Sequence, residues 1–113
     1  MIPYAKQHID KRDINAVIAA LGSDYLTQGP RVEEFEKALA KYCSAKYVVA
    51  VSNGTAALHL AYKAAGIGEN DELITTPNTF AATANMMLEN GARPVFCDIR
   101  MDTYNIDESK IED

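Results

Sequence analysis

Tryptophan is absent from this chain, cysteine occurs only twice, and neither cysteine belongs to a CxxC pair. Cys43 and Cys97 are therefore expected to be reduced, half-buried thiols with no metal or redox role. Basic clusters are missing as well. With a formal charge of −5 the chain lacks the footprint that neutralises a phosphate backbone, so no nucleic-acid partner is expected. No apolar run approaches the roughly 20 residues that cross a bilayer, so no membrane partner is expected either. The opening Met1-Ile2-Pro3-Tyr4-Ala5-Lys6 has no signal-peptide core, and cytoplasmic residence is the expectation. His8 and His59 have no partner at metal-ligand spacing; His59 falls on an expected helix, where it packs or faces solvent.

What is present is the pattern of an ordinary globular chain. At 113 residues, 48% hydrophobic and 24% charged, it matches the usual size and composition of one domain. Asp10 or Asp13 can cap a first helix with Ile14, Val17, Ile18 and Leu21 at helical spacing, closed by Gly22. The polar loop Ser23 to Gly29 follows. Pro30 suits the first turn of a second helix, with Val32, Phe35, Leu39 and Tyr42 as its apolar stripe. Residues 47–51 read as a buried strand, 55–65 as a helix with Gly66 as left-handed cap, and 72–76 as a strand. Residues 80–89 then read as a helix, 94–99 as a strand, and Asp107 as the N-cap of a last helix that the chain end interrupts. Two helices followed by β-α-β-α-β mean an α/β class with a mainly parallel sheet. The alternation stops without a closing element, so the chain reads as the front part of a longer protein.

Two strand-to-helix turns carry the chemistry. In Ser52-Asn53-Gly54-Thr55-Ala56-Ala57-Leu58 a glycine allows close approach, and Thr55 and Ala56 offer N–H groups at a positive helix end, as an anion such as phosphate requires. The competing reading is a tight turn with Thr55 as its cap. No GxGxxG follows a strand, which disfavours a dinucleotide. The second turn, Thr75-Thr76-Pro77-Asn78-Thr79-Phe80, puts an aromatic at a helix start. Phe80 either stacks on a planar ring or is a core residue.

The order of motifs resembles the sugar aminotransferases of the DegT/DnrJ/EryC1/StrS type, pyridoxal-phosphate (PLP) enzymes of the aspartate-aminotransferase fold. The resemblance runs through Ile2-Pro3, Leu26-Thr27-Gln28-Gly29-Pro30, the Ser52–Leu58 turn, Gly66-Ile67-Gly68 and Asp71-Glu72-Leu73-Ile74. It continues through Pro77 to Asn85 and Gly91 to Ile99. It implies the N-terminal part of a fold type I large domain, mainly parallel, with flanking helices. Residues 1–45 would be a helical segment with a substrate-side loop, and residues 46–113 the incomplete start of the PLP-binding domain. Gly54, Thr55 and Ala56 would hold the cofactor phosphate, and Phe80 would stack on the pyridine. Tyr4 and the loop Asp24, Tyr25, Leu26 and Thr27 would line the nucleotide-sugar pocket, with Gly54 beside them.

Pro3 to Gln7, Leu26 to Gly29 and Asp102 to Asp107 are most similar to the branch acting in pseudaminic acid synthesis. That likeness implies amination at C4 of a UDP-linked 4-keto-6-deoxy-N-acetylhexosamine with glutamate as donor, by a homodimer. It also implies that the cofactor-binding lysine and the acid facing the pyridine nitrogen lie beyond residue 113. Lys41, Lys46 and Lys63 stand in no such motif, so the chain alone is expected to be inactive. A sugar 3-dehydratase of the same family, with histidine in the lysine position, and a non-catalytic phosphate- or nucleotide-sugar-binding module are the alternatives.

Overall fold

A computed structural model describes residue 3 and residues 5–111, so the expectation for Tyr4 lies outside the described residues. The chain divides into two compact units, Met1–Ala50 and Val51–Asp113. No described helix is long and apolar enough to cross a membrane.

The first unit holds α1 (Lys11–Leu21) and α2 (Gly29–Cys43). Both acidic candidates for the α1 cap act together in a reciprocal capping box. Asp10 accepts from the Arg12 and Asp13 N–H groups, and Asp13 Oδ2 accepts from the Asp10 N–H at 2.8 Å. The Asp10 carboxyl is held below its usual range, chiefly by the Arg12 guanidinium. The α1 stripe expected to be buried is open, from Ile14 at 51% exposed to Leu21 at 66%. α2 begins at Gly29 with Pro30 in its first turn, where the missing N–H leaves no donor unpaired. It ends at Ser44, which takes the left-handed conformation (φ 53°) more usual for glycine.

Residues 47–51, expected as a strand, form no ladder among the described residues. A single strand has nothing to satisfy its backbone groups unless another strand lies beside it. Among the described residues one local substitute is present: Glu36 of α2 accepts from the Ala50 N–H at 2.8 Å.

The second unit contains α3 (Gly54–Ala64), β1 (Glu72–Thr75), α4 (Ala82–Glu89), β2 (Arg93–Phe96) and a 3-10 turn at Glu108–Lys110. α3 closes with a Schellman motif, in which the Ile67 N–H reaches the Tyr62 carbonyl and the Gly66 N–H reaches Lys63, both at 3.0 Å. Gly66 at φ 76° supplies the left-handed residue as expected. β1 and β2 pair in parallel, Glu72 opposite Arg93 through Thr75 opposite Phe96, and α4 is their crossover. α4 packs on both strands and against α3. Its Ala82 and Met87, with Thr75, Ala92 and Cys97, are the buried residues of this unit. Parallel sheets ordinarily have both faces covered. Here Ile74 and Phe96 stay 45% and 56% exposed.

Three boundaries differ from expectation. β1 and β2 end earlier, at Thr75 and Phe96, and α4 starts at Ala82, leaving Phe80 outside the helix. The last helix is a single 3-10 turn. Its N-cap is the expected Asp107, whose Oδ1 accepts from the Ser109 N–H at 3.2 Å and hydroxyl at 2.6 Å.

After β2 the chain folds back through an antiparallel bridge between Ile99 and Ile106. Charges clamp this hairpin. Arg100 reaches Asp102 and Glu108, and Lys110 reaches Asp98 and Asp107. The Cys97 thiol donates to the Asp107 carbonyl at 3.3 Å. The Asp98 carboxyl sits below its usual range because of the Ile99 N–H and then Lys110, and Asp107 does so chiefly through Ser109. Lys110 is raised by Asp98.

Two expectations follow. A Cβ at Gly29 would lie 2.7 Å from the Tyr25 Cβ, at a φ of 66°. Gly29→Ala should therefore lower stability by about 1–3 kcal/mol, read as the denaturation midpoint; an unchanged midpoint would refute the packing argument. The second concerns pH. Lowered carboxyl pKa values stabilise above the unfolded value and cease to do so as pH falls through the folded one, while the raised Lys110 acts below its own folded value. The clamp should hold between about pH 4 and pH 10. Protection factors of the 98–110 amides, exchange rates corrected for their intrinsic pH dependence, should fall below that window, and no change down to pH 2 would show the ion pairs to be incidental.

Candidate functional site

The turn from residue 52 into α3 is built by Asn53. Its backbone is extended, its carbonyl accepts the first helical bond from Ala57 at 3.1 Å, and its Oδ1 accepts from the Ala56 N–H at 2.9 Å. The cap is thus Asn53 and not Thr55, because an Asn side chain at the residue before the helix reaches the third N–H. Ala56 has its N–H engaged in this way. Among the described residues no acceptor meets the Gly54 or Thr55 N–H, and the first turn of α3 carries no acidic side chain. Helix geometry leaves these donors without internal partners, at the positive end of the helix dipole.

Gly54 adds a second property. Its φ is not left-handed, and a Cβ built on it would meet nothing within 4 Å. The fold of the described residues therefore places no steric demand for glycine there. The open space beside two free N–H groups is suited to a phosphate-sized anion. Thr55 is half-buried, with its hydroxyl free of described partners.

The second turn lies at the entry to α4. Thr76 Oγ1 accepts from the Asn78 N–H at 3.3 Å, and the Asn78 amide donates to the Tyr104 carbonyl at 3.5 Å. The Thr79 and Thr83 hydroxyls share a hydrogen bond at 3.2 Å, and the Phe80 carbonyl accepts from the Thr83 N–H. Phe80 itself is 79% exposed. Phe80 packs into no core among the described residues, and a large aromatic face is left open. Because α3 and α4 pack together, both turns enter neighbouring helices.

In the first unit, the loop between α1 and α2 has its own hydrogen bonds. The Ser23 hydroxyl lies 2.7 Å from the Ala20 carbonyl and 3.1 Å from that of Tyr25, tying the loop to the end of α1. Asp24, Tyr25, Leu26 and Thr27 are all exposed, Tyr25 by 62% and Leu26 by 71%. Gln28 precedes α2 at φ 57°, ψ −124°, followed directly by Gly29 at φ 66°. Such a conformation in a non-glycine residue costs about 1–3 kcal/mol.

The lysines present have other roles. Lys41 and Lys63 stand in the last turns of α2 and α3, where they offset the negative helix ends. Lys46 lies 5.1 Å from the centre of the Tyr47 ring. No cluster of three or more metal-ligating side chains occurs among the described residues. Sequence reading missed three contributors: Asn53 as cap, Asn78 as the link to the hairpin, and Gln28 as a strained position. The first was signalled by the strong N-cap preference of Asn. The other two depend on backbone geometry and a contact distant in sequence.

Comparison with known proteins identifies relatives of this chain. Over 111 residues the chain is 50% identical to the spore coat polysaccharide biosynthesis protein SpsC of Bacillus subtilis, covering 98% of the chain and 28% of that protein. It is also 50% identical over 112 residues to a UDP-4-amino-4,6-dideoxy-N-acetyl-beta-L-altrosamine transaminase of Campylobacter jejuni, covering 99% and 29%. Among solved structures, Spr1654 of Streptococcus pneumoniae in its PMP form superposes with a TM-score of 0.88 at 32% identity, covering 98% of the chain and 28% of that structure. The chain thus spans less than a third of the length of these relatives. Its α/β arrangement, a parallel sheet with flanking helices, is that of fold type I aminotransferases. Residues 7–113 match the family model itself, and the chain belongs to the DegT/DnrJ/EryC1/StrS aminotransferase family.

Proposed function

We propose that these residues form the cofactor-phosphate wall of a PLP-dependent nucleotide-sugar aminotransferase. The observation that carries this reading is the pair of unpartnered N–H groups at Gly54 and Thr55, facing open space at a helix end with no acidic side chain in its first turn. Phe80 supports it by offering an exposed aromatic face at the entry to the adjacent helix. When bound, the cofactor would supply a carbonyl carbon that carries the amino group and an electron-withdrawing ring that acts as the electron sink. Gly54 and Thr55 bind its phosphate, Ala56 keeps the turn in shape through Asn53, and Phe80 orients the ring by stacking. The proton-transferring lysine and the acid opposite the ring nitrogen are supplied outside residues 1–113.

The substrate reading goes further. The nucleotide-sugar end meets Tyr4 and the Asp24–Thr27 loop, and the amino group goes from glutamate to C4 of a UDP-4-keto-6-deoxy-N-acetylhexosamine. The transaminase from Campylobacter supports this choice. SpsC, equally identical, carries a name from spore-coat polysaccharide synthesis, so a related keto sugar is the next substrate to assay. The working assembly is a cytoplasmic homodimer in which the neighbour completes each site.

Gly54 provides the sharpest test, because fold and ligand make opposite demands on it. In the full-length polypeptide, Gly54→Ala should leave the cofactor-free melting temperature unchanged or slightly higher while weakening PLP binding about tenfold. Thr55→Asp should weaken it further by placing like charge at the anion site. Equal PLP affinity in all three proteins, titrated by absorbance, would sink the proposal. Phe80→Ala should cost roughly two- to tenfold in PLP affinity, the range of an aromatic stack; wild-type affinity would assign Phe80 to packing.

A further inference from the structure

Gln28 holds a strained backbone conformation for a residue with a side chain: φ 57°, ψ −124°, with Gly29 also left-handed at φ 66°. This is the conformation of the first central residue of a type II′ turn, which glycine adopts without penalty. A fold that needed only the turn would be served better by glycine at 28 as well as at 29. Local strain of this kind persists where the side chain is useful, and it gathers at ligand-binding sites.

Among the described residues, the Gln28 side chain has no partner that would justify the strain. It does not cap α2, it is exposed, and no hydrogen bond involves it among the described residues. The loop around it is nevertheless well held. The Ser23 hydroxyl grips the Tyr25 carbonyl, and Gly29 packs so closely on Tyr25 that a Cβ there would sit 2.7 Å from the Tyr25 Cβ. A primary amide, which both donates and accepts, therefore stands on a fixed turn beside the exposed Tyr25 and Leu26.

We infer that Gln28 is a specificity-determining residue, its amide hydrogen-bonding the polar groups of a nucleotide-linked sugar. This rests on the nucleotide-sugar reading of the loop given above, and it adds a contact residue outside the Asp24–Thr27 set. The ligand class follows from the chemistry of the loop: an aromatic side chain for a ring face, and a neutral donor–acceptor group for hydroxyl, amide or imide edges.

The test uses the full-length polypeptide, with UDP-N-acetylglucosamine as the probe. Gln28→Gly keeps the turn and removes both strain and amide; Gln28→Ala keeps the strain and removes the amide. Both variants should raise the dissociation constant about five- to tenfold, the worth of one or two hydrogen bonds. Their cofactor absorbance should match wild type, and Gln28→Gly should melt at the same temperature or higher. Three results would overturn the inference alone: unchanged affinity in both variants; weakened binding in Gln28→Gly only; or a lower melting temperature in Gln28→Gly with affinity intact, which would mean a structural partner. A wild-type protein that binds PLP but not the probe at millimolar concentration would overturn the nucleotide-sugar reading, and this inference with it.

Discussion

The parallel pairing of β1 with β2 is the constraint on which the second unit depends. Two parallel strands cannot be joined by a tight turn, so the chain must cross over, and here it does so through α4. The crossover sets Ala82 and Met87 against Thr75, Ala92 and Cys97, the buried residues of the unit. The pairing continues past the named strands, since the Cys97 N–H reaches the Thr75 carbonyl at 2.8 Å and the Arg93 N–H reaches Asp71 at 2.9 Å. The exit of β1 then becomes the Thr76–Phe80 turn, and the exit of β2 becomes the clamped hairpin. Asn78 links the two through the Tyr104 carbonyl.

The same constraint explains what lies open. A parallel pair with so little packed against it leaves apolar residues open on both faces: the register sets Phe96 on the Thr75 face and Ile74 on the opposite one, and both are exposed. The α1 stripe and the unpaired 47–51 segment are open for a related reason: each is patterned for burial against structure that the described residues do not supply. Relatives more than three times as long, of which the chain covers 28–29%, fit that pattern. Exposure at these sites therefore belongs to the architecture and carries little information about ligands. The Gly54–Thr55 turn differs in kind. Its free groups are polar N–H donors at a helix end, and a helix of any length leaves those unpaired.

Much of this was legible because local chemistry dictated it. The Asp10–Asp13 capping box, Pro30 in the first turn of α2, Gly66 as the left-handed cap of α3 and Asp107 as an N-cap each rest on interactions within a few residues. Phe80 was less legible, since an aromatic near a helix start packs inward or faces a ligand with equal sequence support. Among the described residues it stands 79% exposed and packs into no core. Residues 47–51 marked the limit in the other direction. Their β-branched, apolar character specifies a strand, but a ladder needs a partner that local sequence does not provide.

The sequence by itself determined the α/β class, most of the helix caps, the β-α-β crossover and the two turns that lead into α3 and α4, because periodicity and capping act over one or two helical turns. Only the tertiary structure decided that Asn53 engages the Ala56 N–H while those of Gly54 and Thr55 stay free. It alone showed Phe80 standing outside α4, and Gln28 holding a backbone conformation suited to glycine. Those three outcomes turn on where a hydrogen bond falls, where a helix starts and which way the chain turns. They are settled by geometry accumulated across several residues and by packing between elements far apart in the chain, which residue type alone does not encode.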